Sequence, residues 1–193
     1  MTKQTLGSDY TSTIQTLTQV AMDDSASNRE LKDNPQTQLL ICSSLKLYNF
    51  DEVTKLYQKG KIKRGFDIRS CDGLFITPRD ELYLVEFKNR SLIFQDKKEE
   101  ALEEMELLEK AQSSLLALSD LLQMDIRILR SKITYILVYN PNKNNGSTVL
   151  RGQTMFRGLK AKLNKVSVKA AYVYSDEDFE KNDLAKWTKW STP

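Results

Sequence analysis

A chain of 193 residues, 40% apolar and 28% charged, suits one compact domain able to bury a core. A net charge of +3 does not by itself require a polyanionic partner, and no stretch approaches the roughly 18 apolar residues of a membrane span. The complete lack of histidine excludes Ser-His and Cys-His nucleophiles, His-ligated zinc and imidazole bases, which leaves carboxylate and lysine chemistry.

Residues 1–32 are polar and rich in Ser, Thr, Gln and Asp, without a signal-peptide apolar core. Ser8 or Asp9 is placed to cap a short helix with Ile14, Leu17 and Ala21 on one stripe. This segment reads as a polar N-terminal arm or helix, packing on the rest or serving a partner, ahead of a single α/β domain over 33–193. Asp33-Asn34-Pro35 is a helix-start signal, and Leu39, Leu40, Ile41, Leu45 and Leu47 predict a core helix over 36–48. Asn49 then caps a short helix over 50–58, with Glu52 in capping-box position. Cys42 and Cys71, the two cysteines, lack metal-type spacing and read as free thiols of a reducing compartment, so a cytoplasmic location is expected.

Residues 66–90, FDIRSCDGLFITPRDELYLVEFKNR, carry apolar runs at 73–77 and 82–87 around the turn-forming Thr77-Pro78-Arg79-Asp80-Glu81. They predict an antiparallel hairpin. A tip at Arg79 sets Asp72 opposite Glu86, and the two-residue period of a strand puts Glu86 and Lys88 on one face with it. Leu82, Leu84, Val85 and Phe87 occupy both faces of the second strand, which therefore reads as covered. Burying an Asp, a Glu and a Lys together is costly unless a cation or ligand compensates. Two carboxylates without histidine suit Mg²⁺ or Mn²⁺, and the Lys88 ammonium can orient a metal-bound water or offset transition-state charge. The plainer alternative is a solvated hairpin or a simple Lys–carboxylate pair.

Further along, Ala101, Met105, Leu108, Ala111, Leu115, Leu118 and Leu122 recur at three and four residues and predict a long helix. Its first half carries Asp96, Glu99, Glu100, Glu103, Glu104, Glu106 and Glu109. The first of these complement the helix dipole. The rest are expected on a solvated face away from any phosphate site, or, over 96–110, against a basic protein partner. ITYILVY at 133–139 reads as a buried central strand, 140–148 as a surface loop, 153–164 as a short helix and 168–174 as another strand. Ser175 with Asp178 opens the last helix, whose Trp187 and Trp190 share a face suited to core packing, with base stacking or an interface as the alternative. Between 149 and 174 lie Arg151, Arg157, Lys160, Lys162, Lys165 and Lys169 with no acid. This is a phosphate-contacting stripe, with Arg157 and Lys160 its leading members, or a face that balances the acidic helix.

Asp72, thirteen intervening residues and Glu86-Phe87-Lys88 together resemble the PD-(D/E)XK nuclease superfamily. Glu30-Leu31-Lys32 also fits E-x-K, but it has no strand pattern around it. The superfamily's Pro before the Asp is replaced by Cys71. The resemblance implies a restriction-endonuclease-like α/β fold, a mixed sheet flanked by helices, and Mg²⁺- or Mn²⁺-dependent hydrolysis of nucleic acid. Asp72 and Glu86 would hold the metal, Lys88 would assist the attacking water, and a helix before the sheet would lend a further acid, Glu52 first and Glu30 second. Gln95, Lys97 and Lys98 would lie near the phosphate. Two rivals stand beside it: an inactive nuclease fold kept as a binding module, such as an immunity protein or complex subunit, and an α/β protein whose E-x-K is coincidental.

Overall fold

The computed structural model describes residues 6–22, 40–61, 68–90, 92, 94, 96–144, 149–166 and 168–191. Six strands form one mixed sheet in chain order: β1 (Ile14–Thr16), β2 (Lys46–Asn49), β3 (Gly73–Ile76), β4 (Leu82–Lys88), β5 (Ile133–Tyr139) and β6 (Ala170–Ser175). The first four pair antiparallel, while β4, β5 and β6 run parallel. Parallel neighbours need a crossover rather than a hairpin, and helices supply both. These are α3 (Lys97–Leu121) with α4 (Ile126–Arg130) between β4 and β5, and α5 (Val149–Val166) between β5 and β6. The result is one α/β domain with a mixed sheet flanked by helices, as the sequence predicts. No helix among the described residues is long and apolar enough to cross a membrane.

Both sheet faces are buried, and the alternation along β3 and β4 sorts side chains between them. On one face Leu74, Leu82, Leu84, Tyr135 and Leu137 pack with Phe50 of α2 (Phe50–Lys61), Leu107 and Leu118 of α3, and Leu159 and Leu163 of α5. On the other, Phe75, Val85, Phe87, Ile136 and Val138 meet Leu17 and Val20 of α1 (Leu17–Met22) and the C-terminal helical segment. That segment runs from α6 (Asp176–Phe179) through π-helical Glu180–Leu184 into α7 (Ala185–Ser191). Ser175 caps it, its Oγ accepting from the Asp178 N–H at 3.1 Å. Trp187 is core, stacked on Phe75 with ring centroids 4.4 Å apart and edge-on to Phe179 at 5.4 Å.

Two expectations need correction. Described residues of the predicted 36–48 helix are not helical: 40–45 are irregular and Lys46–Asn49 is strand β2. Leu45, Leu47 and Asn49 are buried while Lys46 is exposed and Tyr48 half-buried, so the burial period is two and the strand pattern prevails over helix propensity. Of the two readings of the N-terminal segment, its described part packs on the domain. β1 is an edge strand of the sheet, following a 3-10 turn (Ser8–Thr13), and Leu17, Val20 and Ala21 are buried. Finally, the inward stripe of α3 consists of Glu103, Leu107, Ala111, Ser114, Leu115, Ala117 and Leu118, while Ala101 and Met105, which periodicity placed on it, are exposed. Glu103, expected on the solvated face, takes an inward position because Lys88 and Arg90 lie beneath it.

A candidate acid–lysine site between the sheet and the long helix

The hairpin turn fixes the site's register. Thr77 N–H donates to the Glu81 carbonyl at 3.0 Å, and Thr77 Oγ1 accepts from the Arg79 and Glu81 N–H groups at 3.2 and 3.1 Å. Asp80 takes the left-handed conformation at φ 59°, which Asp tolerates better than most residues. Gly73 therefore faces Val85, and one step further Asp72 comes level with Glu86, as predicted from a tip at Arg79. Asp72 Oδ2 is tied across the strand end by the Phe87 N–H at 2.6 Å. Glu86 and Lys88 share the Leu82–Leu84 face, where α3 covers them.

Charge there is densely paired. Lys110 of α3 reaches down so that Nζ lies 2.7 Å from Glu86 Oε1 and 3.4 Å from Asp72 Oδ1. Lys88 Nζ lies 3.2 Å from Glu86 Oε1 and 3.5 Å from Glu103 Oε1. Glu103 Oε2 accepts from the Arg90 guanidinium at 2.7 Å. Glu86 is fully buried, whereas Lys110 keeps 16% and Arg90 39% of the side chain exposed, so these two form the rim. Beside the pair, Asp51 of α2 accepts a short hydrogen bond from Ser70, and the Cys71 N–H donates to Ser114 of α3 at 2.8 Å. Glu86 Oε2 and the Tyr135 hydroxyl are buried with no hydrogen-bond partner among the described residues.

The electrostatics follow from that packing. Burial, then the Glu86 charge, pushes the Asp72 carboxyl well above its ordinary range, against Lys110 and the Phe87 N–H. Burial likewise raises Asp51 against its Ser70 hydrogen bond and Lys110. For Lys110, burial opposes the charged form, but Glu86 and Asp72 outweigh it and raise its pKa. Lys88 behaves the same way, with burial overcome by Glu86 and Glu103 despite repulsion from Lys110. Cys71 is a buried thiol raised by desolvation and then by Glu86.

Of the residues predicted to act, Asp72, Glu86 and Lys88 come together. Glu52 does not join them: its N–H is capped by Asn49 Oδ1 at 3.1 Å, and its carboxylate pairs with Lys55 at 2.7 Å on the exposed side of α2. The helix-borne acid beside the pair is instead its neighbour Asp51, one residue and about 100° around the helix. Glu30 and Gln95 fall outside the described residues. Lys97 and Lys98 are exposed in the first turn of α3, and Arg157 and Lys160 are exposed on α5, Lys160 lying over the Tyr172 ring at 5.4 Å. Nor does the acidic helix lie away from the site, since Glu103 is part of it. Sequence reasoning missed Glu103, Lys110 and Asp51. The available signal was the seven-residue step from Glu103 to Lys110, two helical turns on the Leu107–Ala111 face.

Two carboxylates aimed at one positive centre, with an unpartnered oxygen on Glu86, fit a hard divalent cation in donor type; in this structure the positive centre is the Lys110 ammonium. Among the described residues no three acidic or cysteine side chains gather as a metal's ligands, so water and substrate oxygens would have to complete a shell. A separate cleft of about 380 Å³, lined by Leu40, Cys42, Pro141, Asn142, Asp176, Glu177 and Glu180, shares no residue with this cluster. Comparison with protein-family models, curated proteins and solved structures finds no match to this chain.

Proposed function

We propose that this chain is a nuclease-like phosphodiesterase that uses Mg²⁺ or Mn²⁺, the activity its PD-(D/E)XK resemblance implies. The observation supporting this reading is the convergence of Asp72, Glu86 and Lys88 on one face of a covered hairpin. Asp72 and Glu86 are the residues that would hold the ion, which when bound would supply Lewis-acid charge and a more acidic water. Lys88 is held between Glu86 and Glu103, and both carboxylates keep its ammonium charged. An N–H donor fixed there offsets negative charge on a phosphoryl oxygen without reorganising. Glu103 in turn is anchored by Arg90, which restricts where the lysine can point.

Incubation of the full chain with single- and double-stranded DNA and RNA, with each metal, tests the reading. Metal-dependent cleavage by the native protein and its loss in Lys88→Ala are expected. Cleavage that survives Lys88→Ala would belong to another site or a contaminant. A second reading, an inactive nuclease-like fold kept for binding, is favoured by the Lys110 ammonium already bridging the acid pair. Nucleic acid left intact with either metal, under conditions where the protein stays folded, would select it.

A further inference from the structure

We propose that Lys110 is a tethered counter-ion that competes with a divalent cation for Asp72 and Glu86, so that metal enters only as Lys110 swings away. The proposal rests on reading the acid pair as a cation site, and it concerns what occupies that site in the metal-free protein.

Three features set Lys110 apart from the other cations of the cluster. It alone among them contacts both members of the pair, bridging β4 to the segment just before β3. It comes from the opposite layer, on α3, whereas Lys88 and Arg90 belong to β4 and its immediate continuation. And Lys88 already holds Glu86 and Glu103, so the site keeps a cation of its own when Lys110 is elsewhere. A four-carbon stem at a partly exposed position can turn its ammonium to water without moving the helix.

Charge and valence give the reason for competition. In this network Asp72, Glu86 and Glu103, with Asp51 beside them, face Lys88, Lys110 and Arg90. Removing Lys110 takes one positive charge from beside the acid pair in a mostly buried place, which favours a divalent ion there; with Lys110 present the ion would face its repulsion. Glu86 Oε2 points to the same conclusion independently. It is fully buried and accepts no hydrogen bond among the described residues, so the ammonium serves Oε1 and leaves an acceptor unused. Natural structures seldom leave a buried carboxylate oxygen unpaired, and a cation able to take both oxygens would satisfy it.

The test is thermal melting of the full chain during Mn²⁺ titration, for native protein, Lys110→Met, Lys110→Arg and the double variant Lys110→Met with Asp72→Asn. Lys110→Met should take Mn²⁺ with a midpoint about tenfold or more below native, and the added Asp72→Asn should abolish the response. Lys110→Arg, which keeps the charge, should bind no better than native. If Lys110→Met does not fold in metal-free buffer, Mn²⁺ during refolding should restore it. Equal midpoints in native and Lys110→Met, no response in either, an equal gain in Lys110→Arg, or failure of Mn²⁺ to restore an unfolded variant would each overturn the proposal. Cleavage plays no part in this readout. Tight Mn²⁺ binding by Lys110→Met without hydrolysis would uphold the counter-ion while removing the nuclease reading, and cleavage by native protein with equal midpoints would do the reverse.

Discussion

Glu86 is the electrostatic hinge of the site: fully buried, it is shared by two ammonium groups at 2.7 and 3.2 Å. Breaking one side of a buried ion pair leaves the other uncompensated, at about 3–5 kcal/mol. Glu86→Gln should therefore lower urea-unfolding stability by about 3 kcal/mol, since Asp72 and Glu103 still contact the lysines. A loss under about 1 kcal/mol would mean that both ammoniums find water instead. Asp72 gives a pH signature. Its carboxyl is raised in the folded state, so between the ordinary value near 3.9 and its folded value the native chain holds a proton that the unfolded chain has released. Stability from this group falls as pH rises through that window, the reverse of an ordinary salt-bridged acid. Melting temperatures from about pH 4 to 8 should decline more in native protein than in Asp72→Asn; parallel profiles would refute the raised proton affinity. Lys110, also raised, stabilises fully below the ordinary lysine value near 10.4 and loses that contribution only above it. At this scale Asp72, Glu86 and Lys88 were legible because strand period and hairpin register are arithmetic. Lys110, Glu103 and Asp51 were not, because a charged residue on an amphipathic helix is outward by default and only the tertiary partner reverses that.

At the scale of elements, β3 packs closely on what precedes it. A Cβ on Gly73 would lie 2.6 Å from Leu47 Cδ1 of β2 and 3.4 Å from Val20 Cγ1 of α1. Glycine in a strand interior is otherwise a weakness of about 0.5–1 kcal/mol, so alanine would stabilise an uncrowded site. Here overpacking opposes that gain, and Gly73→Ala should cost about 1 kcal/mol in chemical denaturation, because the nearest atom ends a side chain that can shift only within the core. Adding Leu47→Val, which removes the clashing carbon, should recover part of the loss; two additive costs would show that Leu47 is not the obstacle. β2 escaped the sequence reading because of its length. Leu39, Leu40, Ile41, Leu45 and Leu47 fit a helical stripe well enough, and the alternation that marks β2 spans only four residues. β4, β5 and α3 were legible because their patterns are long, although α3's inward face shifted once Glu103 found Lys88 and Arg90.

At the scale of the whole molecule, part of the acidic helix's charge is paired within the chain. Glu104 of α3 meets Lys162 of α5 at 2.9 Å, and Arg69 lies 3.8 and 3.7 Å from Glu106 and Glu109. The acidic helix thus faces cations of its own chain as well as solvent, and the basic stripe on α5 is partly its complement. Lys162 is thus engaged already, while some other exposed basic side chains carry no salt bridge among the described residues. Lys97 and Lys98 stand exposed at the start of the helix that carries Glu103 to Arg90 at the rim, and Arg157 and Lys160 stand exposed on α5. Each phosphate contact releases condensed counterions and contributes roughly 0.9 to the log–log salt slope on duplex DNA, or roughly 0.7 on single strands. Neutralising Lys97 and Lys98 together, or Arg157 and Lys160 together, should lower the slope of nucleic-acid affinity against salt by about 1.4–1.8 in either case. Lys162→Gln, whose charge Glu104 already holds, should change it far less. Fluorescence anisotropy over a range of salt, in EDTA to prevent cleavage, reads all three. Equal falls in every variant would reduce the effect to net charge alone, and unchanged slopes in both double variants would remove these residues from any phosphate interface.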